Sequence, residues 1–375
     1  MKVMSVLNLR PRKLGSFEEY TISLSRALVR RGGQSVLVFK ELPPASLLPR
    51  YLDAGAVLET KPFAALGRHS SGSLRALLRR HRPDVVHLHF VNLLSLDVVA
   101  AGLYRSVRVV FSDHGSDTPK QRSAVKTYAL RGSTRTFSSM LDGIIAPSDY
   151  VNARLIRAGV RADKVTTIHN GVNLEEFRNP QATGDIRTKY GIPPSCVIVA
   201  SISQLIPEKG IDYLIAAAAL VLQQGADVSF IHVGDGARVA EYRTKVRDLG
   251  LEGRFIFAGR LNLSEIAAIL LQSDIFTLPC TWGEAFSLAV LEALAAGKPA
   301  IVTRVGGNAE AVEDGRNGLV VPPHDAGALA AAIKALHDSP ERRQAMGRES
   351  LSRSTGFNMQ RWVDETIEIY ERLTR

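Results

Sequence analysis

The 375-residue chain is too long for one ordinary hydrophobic core and suits two packed side by side. Its 45% apolar and 22% charged content exclude general disorder, and two cysteines 84 positions apart, Cys196 and Cys280, exclude a zinc ribbon or a disulfide scaffold and suit a reducing compartment. The apolar run before Arg10 is short for a signal peptide, and the longest run, LIAAAALVL at 214–222, stops at Gln223, below the roughly 20 residues that cross a bilayer, so secreted and integral-membrane classes are not expected.

Short β-branched runs alternate with helical-period runs along the chain. In the first half, strands are predicted at VMSVLN (3–8), SVLVF (35–39), DVVHLHF (84–90), VRVVFS (107–112), GIIAP (143–147) and KVTTIH (164–169). Between the first two, FEEYTISLSRALVRR (17–31) carries apolar positions at Tyr20, Leu24, Ala27 and Leu28, the spacing of an amphipathic helix. A polar break follows at HNGVNLEEFRNPQATGD (169–185). Beyond it, strands are predicted at CVIVASIS (196–203), VSFIHVG (228–234), RFIFAG (254–259), DIFTLP (274–279), PAIVT (299–303) and GLVVP (318–322). Their helices include IDYLIAAAALVLQQ (211–224) and EAFSLAVLEALAAG (284–297). Continuous apolar strands alternating with helices indicate parallel sheets covered on both faces. The expected fold class is α/β: two Rossmann-like, doubly wound parallel-sheet domains facing across a cleft. Domain limits are expected at 1–172 and 173–357, with the last helix, about 358–375, returning to the first domain. Ligands of such sheets bind outside the carboxyl ends of the strands, so the shape favours a two-substrate enzyme.

Residues 1–170 hold 26 Lys/Arg against 12 Asp/Glu, a surplus of 14; residues 171–375 hold 21 against 25, a deficit of four. The basic half suits an anionic lipid surface or an anionic substrate, or is simply a solvated face. Nucleic acid fits poorly, because the arginines lie at the ends of separate helices with no interleaved aromatics for base stacking.

The richest stretch is PCTWGEAFSLAVLEALAAGKPAIVTRVGGN (279–308), which holds Glu284 and Glu292 eight positions apart. If a helix begins near Ala285, Glu284 stands at its entrance and Glu292 about two turns along. Taken alone, such a pair reads more readily as a helix-start carboxylate at 284 and a solvated position at 292 than as a ligand site. Lys209, in PEKG, precedes a helix whose dipole it opposes, which favours an anion nearby.

Here the residues resemble a known family. The spacing of Glu284 and Glu292 resembles the E-x7-E signature of the retaining GT-B glycosyltransferases of family 4. The likeness runs along nearly the whole chain, through RALVRRGGQSVLVF, RPDVVHLHF, DGIIAPSDYVNARLIRAGVRADKVTTIHNGVNLEEF, ISQLIPEKGIDYLIAAA, VGDGARVAEYRTKVRDLGLEGRFIFAGRL and GGNAEAVEDGRNGLVVPPHDAGALAAAI. It implies a GT-B fold and transfer of a hexosyl unit from a UDP- or GDP-sugar to a glycan or lipid-linked acceptor.

The resemblance also implies roles. Lys209 meets the diphosphate with the amides of Ala285, Phe286 and Ser287; Glu292 accepts from the ribose hydroxyls and Glu284 from those of the donor sugar. Gly259 and Arg260 hold the base, and Gly306, Gly307 and Asn308 lie near the sugar end. Gly15 and Ser16 match the family's paired-glycine loop near the phosphate, with serine in place of the second glycine. His114 matches a histidine near the reacting sugar, so His114, Lys209 and Glu284 are the expected catalytic residues. Where the family has an arginine five positions before the lysine, this chain has Gln204, which can donate a hydrogen bond but brings no charge; Arg304 or a basic residue of the first domain is the candidate substitute. No D-x-D pair ends a strand, so neither a cofactor nor an obligatory metal is expected. The expected place is the cytoplasm, peripheral on the inner membrane face through the basic first domain. Rival readings are a non-catalytic nucleotide-sugar-binding protein and a sugar-nucleotide epimerase of the same fold.

Overall fold

The computed structural model describes residues 1–63, 68–115, 124–178 and 184–375. They form two compact units. The first gathers residues 1–115, the described part of 119–170, and the terminal segment Met359–Arg375; the second holds Gly171–Asn358.

The first unit is built on seven parallel strands: β1 (Lys2–Leu7), β2 (Gln34–Phe39), β3 (Ala56–Thr60), β4 (Val85–His89), β5 (Arg108–Ser112), β6 (Gly143–Ala146) and β7 (Val165–Thr167), in the order β3-β2-β1-β4-β5-β6-β7. The order reverses between β1 and β4, the switch point at which doubly wound sheets open a crevice. Both strands are central and buried almost throughout, as their unbroken apolar runs require. Strand β3 was not among the expected strands. It lies at the sheet edge with Val57 about half exposed, so its run AVLET lacks the continuous apolar character of its neighbours.

Helix Ser16–Arg30 buries Tyr20, Leu24 and Leu28, three of its four expected apolar positions. The terminal helix Met359–Thr374 packs on it, with the rings of Tyr20 and Trp362 stacked 3.7 Å apart and the Tyr20 hydroxyl donating to Thr366 Oγ1 (3.1 Å). A buried tyrosine that finds a polar partner keeps its apolar contribution without a desolvation penalty, so this contact anchors the terminal helix.

The second unit carries six parallel strands: β8 (Val197–Ile202), β9 (Val228–Val233), β10 (Phe255–Gly259), β11 (Ile275–Leu278), β12 (Ala300–Thr303) and β13 (Gly318–Val321), in the order β10-β9-β8-β11-β12-β13. Its switch point lies between β8 and β11. Helix Ile211–Gln223 buries Leu214, Ile215 and Ala218 in a core shared with Val199, Phe230 and Ile333. The small alanine face of this helix lets helix Ala326–His337 approach it closely.

One element begins later than its sequence suggests. The helix expected from residue 284 starts at Leu288, with Ser287 as its N-cap. Residues 284–287 are instead a loop, and Glu292 stands little more than one turn into the helix.

Candidate active site

At the second switch point the loops leaving β8 and β11 touch backbone to backbone. Gly210, in a left-handed conformation (φ 69°), lies so close to Pro279 that a Cβ would meet its carbonyl oxygen at 1.8 Å. Beside it, the Thr281 N–H donates to the Glu208 carbonyl (2.9 Å) and the Thr281 hydroxyl to that of Pro207 (3.3 Å). These contacts seat the turn Pro207–Lys209 against the segment 279–284, and the Lys209 ammonium lands on the Glu284 carboxylate.

A third loop fixes Glu284 from behind. The Gly307 N–H donates to the Glu284 carbonyl (2.8 Å), and at Gly306 (φ 64°) a Cβ would lie 2.0 Å from that oxygen. The Ser287 N–H donates to Asn308 Oδ1 (3.1 Å), while the buried Asn308 Nδ2 has no hydrogen-bond partner among the described residues. Gly306 is therefore a backbone-contact requirement, and Asn308 bridges two loops.

The pair is mostly buried, each side chain under one-fifth exposed. Burial opposes the Lys209 charge, but the carboxylate of Glu284, with Glu208 adding, overrides it and holds the ammonium pKa above its ordinary value. The Cys280 thiol lies 3.7 Å from Glu284 Oε2 and is pushed up, first by burial and then by that carboxylate, so it is a neutral neighbour and no nucleophile. One buried oxygen of Glu208 has no partner among the described residues. A positive group thus sits between carboxylates at a helix entrance, where an incoming anion and hydroxyls can exchange with it.

The remaining predicted residues fall as follows. Glu292 is buried, which removes the solvated-face alternative. Ala285 and Phe286 are buried loop residues; the Ser287 amide, expected to face phosphate, is engaged by Asn308. Gln204 is exposed, as is Arg304, which forms no ion pair among the described residues. Gly259 (φ 73°) accepts from the Gly234 N–H through its carbonyl at 2.8 Å, and exposed Arg260 pairs with Asp235 at 3.4 Å. These two end β10, at the sheet edge two strands from β8, so they are not part of the Lys209–Glu284 cluster.

In the first unit, Gly15 caps helix Ser16–Arg30 and its N–H donates to Glu18 Oε2 (3.1 Å), so a phosphate there must displace that carboxylate. Burial raises the Glu18 pKa, against the pull of its own and the Gly15 amides. Ser16 is buried. His114 follows β5 with its ring stacked on Phe90 (4.4 Å, 25°) and edge-on to Phe17 (5.3 Å), and its Nε2 lies 3.1 Å from His89 Nδ1. Burial brings its pKa down to about 4, so the ring is neutral at physiological pH. Sequence reasoning missed His89, Phe17, Phe90 and Cys280. For His89 a signal existed, since the alternation in His-Leu-His puts both imidazoles of β4 on one face.

Comparison with known proteins agrees with this architecture. The family described as "Glycosyl transferases group 1" matches residues 183–353, and that described as "Glycosyltransferase Family 4" matches 17–176. D-inositol 3-phosphate glycosyltransferase 2 of Catenulispora acidiphila is 27% identical across 96% of this chain and 90% of that protein. The GDP-mannose-dependent alpha-(1-6)-phosphatidylinositol monomannoside mannosyltransferase of Mycolicibacterium smegmatis is 30% identical across 64% of this chain and 63% of its own length. Among solved structures, Anabaena HepE in complex with UDP-glucose superposes with a TM-score of 0.80 at 22% identity, covering 98% of this chain and all of that one. A glycosyltransferase from Rickettsia africae gives 0.82 at 19%, covering all of this chain and 98% of that one. With two Rossmann-like parallel sheets, one matched by each of these glycosyltransferase models, the chain is a GT-B glycosyltransferase and belongs to group 1, family 4.

Proposed function

We propose that the protein is a retaining hexosyltransferase that moves a sugar from a UDP- or GDP-sugar to a glycan or lipid-linked acceptor in cell-surface polysaccharide or glycolipid assembly. The observation that carries this reading is the Lys209–Glu284 pair, held by three loops at a switch point. With donor bound, Lys209 would turn its charge to the diphosphate, Glu284 would take sugar hydroxyls, and Glu292 would take the ribose. The mechanism we assign is same-face departure in which the leaving diphosphate helps deprotonate the acceptor, in place of a hydrolase-like pair of carboxylates. Charge on the diphosphate is assigned to Lys209 and backbone amides, with no obligatory metal, because the sequence has no D-x-D pair. HepE, crystallised with UDP-glucose, and the GDP-mannose-dependent relative support a nucleotide-sugar donor without choosing its base.

Thermal-shift screening against a panel of UDP- and GDP-sugars should show stabilisation by one class, and the product made from that donor should keep the donor's anomeric configuration. Binding without transfer to any acceptor would instead favour a non-catalytic sugar-nucleotide binder, the reading that exposed Gln204 in the arginine position supports. Inversion at the anomeric carbon would end the retaining assignment.

The basic first half is assigned to an anionic membrane surface at the cytoplasmic face, where the acceptor is presented. Among the described residues no helix is long and apolar enough to cross a membrane. Co-sedimentation with phosphatidylglycerol vesicles at 50 mM salt, lost by about 500 mM, is expected; equal binding to neutral vesicles would refute the electrostatic docking.

A further inference from the structure

Strand β4 places His87 and His89 on one face, both buried, with ring centres 3.8 Å apart. The two differ in how their nitrogens are used. His87 has both engaged: Nδ1 with the Tyr370 hydroxyl (2.5 Å) and Nε2 with the Ser112 hydroxyl (2.7 Å). His89 has Nδ1 against His114 Nε2 at 3.1 Å, but its own buried Nε2 has no hydrogen-bond partner among the described residues. A ring whose far nitrogen is left bare in a core is costly, so its near nitrogen has a use that outweighs packing.

Two neutral imidazoles share that contact, and one must give the proton. Burial lowers the pKa of both rings, so neither carries a second proton at neutral pH. Asp113 pulls His114 the other way, but it is paired with Arg154 at 2.8 Å. If His114 donated, His89 would keep its only proton on the bare buried Nε2, and orphaned buried N–H groups are the rarer defect. If His89 donates from Nδ1, what remains bare is a lone pair, and His114 must hold its own proton on Nδ1. That atom has no partner among the described residues, and the His114 side chain is only partly buried.

The surroundings hold the arrangement. Phe90, beside His89, has a left-handed backbone (φ 56°) that a bulky residue adopts only under constraint. The constraint is Asn8, whose side-chain amide donates to the Phe90 carbonyl (3.0 Å) and whose backbone N–H donates to that of His89 (3.2 Å). This conformation lays the Phe90 ring on one face of His114, with the Phe17 ring perpendicular to it, and with Nε2 turned to His89 the ring nitrogen left for a ligand is Nδ1.

We infer that His89 is a positioning residue that fixes His114 as a neutral Nδ1–H donor to a carbohydrate oxygen. In that state His114 has no free lone pair, so it orients a hydroxyl or ring oxygen and does not act as the base. The inference rests on the glycosyltransferase reading for the identity of the ligand, whereas the tautomer rests on geometry alone.

Two-bond 1H–15N correlation spectra of the labelled full chain, with His114→Gln for assignment, should show His114 protonated on Nδ1 at pH 7.5. His89→Asn puts an amide N–H where Nδ1 was; it should keep that tautomer and transfer sugar within about threefold of wild type. His89→Leu should shift His114 toward the Nε2–H form and lower kcat by about 10-fold, one hydrogen bond's worth, with UDP or GDP binding unchanged. An Nε2–H His114 in the wild type, or a His89→Leu enzyme as active as His89→Asn, overturns the inference. Wild-type protein that shows the Nδ1–H tautomer yet binds no nucleotide sugar refutes the ligand assignment and leaves the histidine geometry standing.

Discussion

Replacing Lys209 with alanine should slow glycosyl transfer by about 100- to 1,000-fold, the usual loss when one preorganised charge-stabilising group is removed from an active site. The same substitution should destabilise the second unit, because Glu284 then keeps a mostly buried carboxylate beside the Cys280 thiol with no cation against it. The cost is about 1–3 kcal/mol, less than for a fully buried pair because both side chains retain some contact with water. A double substitution separates the two effects. Lys209→Met with Glu284→Gln removes both charges and should recover most of the stability while transfer stays at the level of Lys209→Ala or below. A Lys209→Ala protein with wild-type turnover at saturating donor would remove the lysine from the reaction and leave the pair as a fold contact.

Acid should unfold the first unit early, and the sign follows from its histidines. His87, His89 and His114 all have folded pKa values below the ordinary 6.5, for burial first of all, with His114 at about 4. The unfolded chain therefore binds more protons between roughly pH 6.5 and 4, and stability falls as pH drops through that window. Each histidine held neutral by the fold costs up to about 1.4 kcal/mol per pH unit there, so the combined loss by pH 5 is on the order of several kcal/mol. For a unit of this size that is on the order of 10–20 °C in Tm. The second unit has one such histidine, His232, also at about 4 through burial, and should lose about a third as much. The chain has two tryptophans, Trp282 and Trp362, one in each unit, so single-tryptophan variants report each unit separately. If the Trp362 signal melts at the same temperature at pH 7.5 and pH 5, the histidines are not buried as neutral rings.

The alternation of strands and helices was legible because central parallel strands advertise themselves by unbroken apolar runs. Strand β3 was not, since an edge strand with Val57 facing water carries half the signal. The late start of helix Leu288–Ala295 was hidden for a different reason. EAFSLAVLEALAAG is compatible with a helix throughout, and what unwinds its first turn is distant in sequence: the Gly307 amide on the Glu284 carbonyl and Asn308 on the Ser287 amide. Serine at 287, a common N-cap type, was the local clue. The cation at 209, unfavourable at a helix entrance on local grounds, is explained by a carboxylate 75 positions away. For His114 the family likeness pointed to the residue, but its state depends on His89 and on the left-handed Phe90, neither of which a linear pattern marks.

The chain passes from the first unit to the second near residue 170 and returns near 358, where Val172 and Asn358 form a parallel bridge and the Val172 N–H donates to the Phe357 carbonyl. Among the described residues the second unit is thus drawn from one stretch of sequence, whereas the first needs its closing helix, and with it the Trp362 face that covers Tyr20 and the Tyr370 hydroxyl that engages His87. On the ribosome the order of completion is therefore the reverse of the order of synthesis. The portion translated first waits, with Tyr20 uncovered, until Met359–Arg375 has been read, and a nascent chain stalled before that segment holds a finished second sheet and a first one in need of a chaperone.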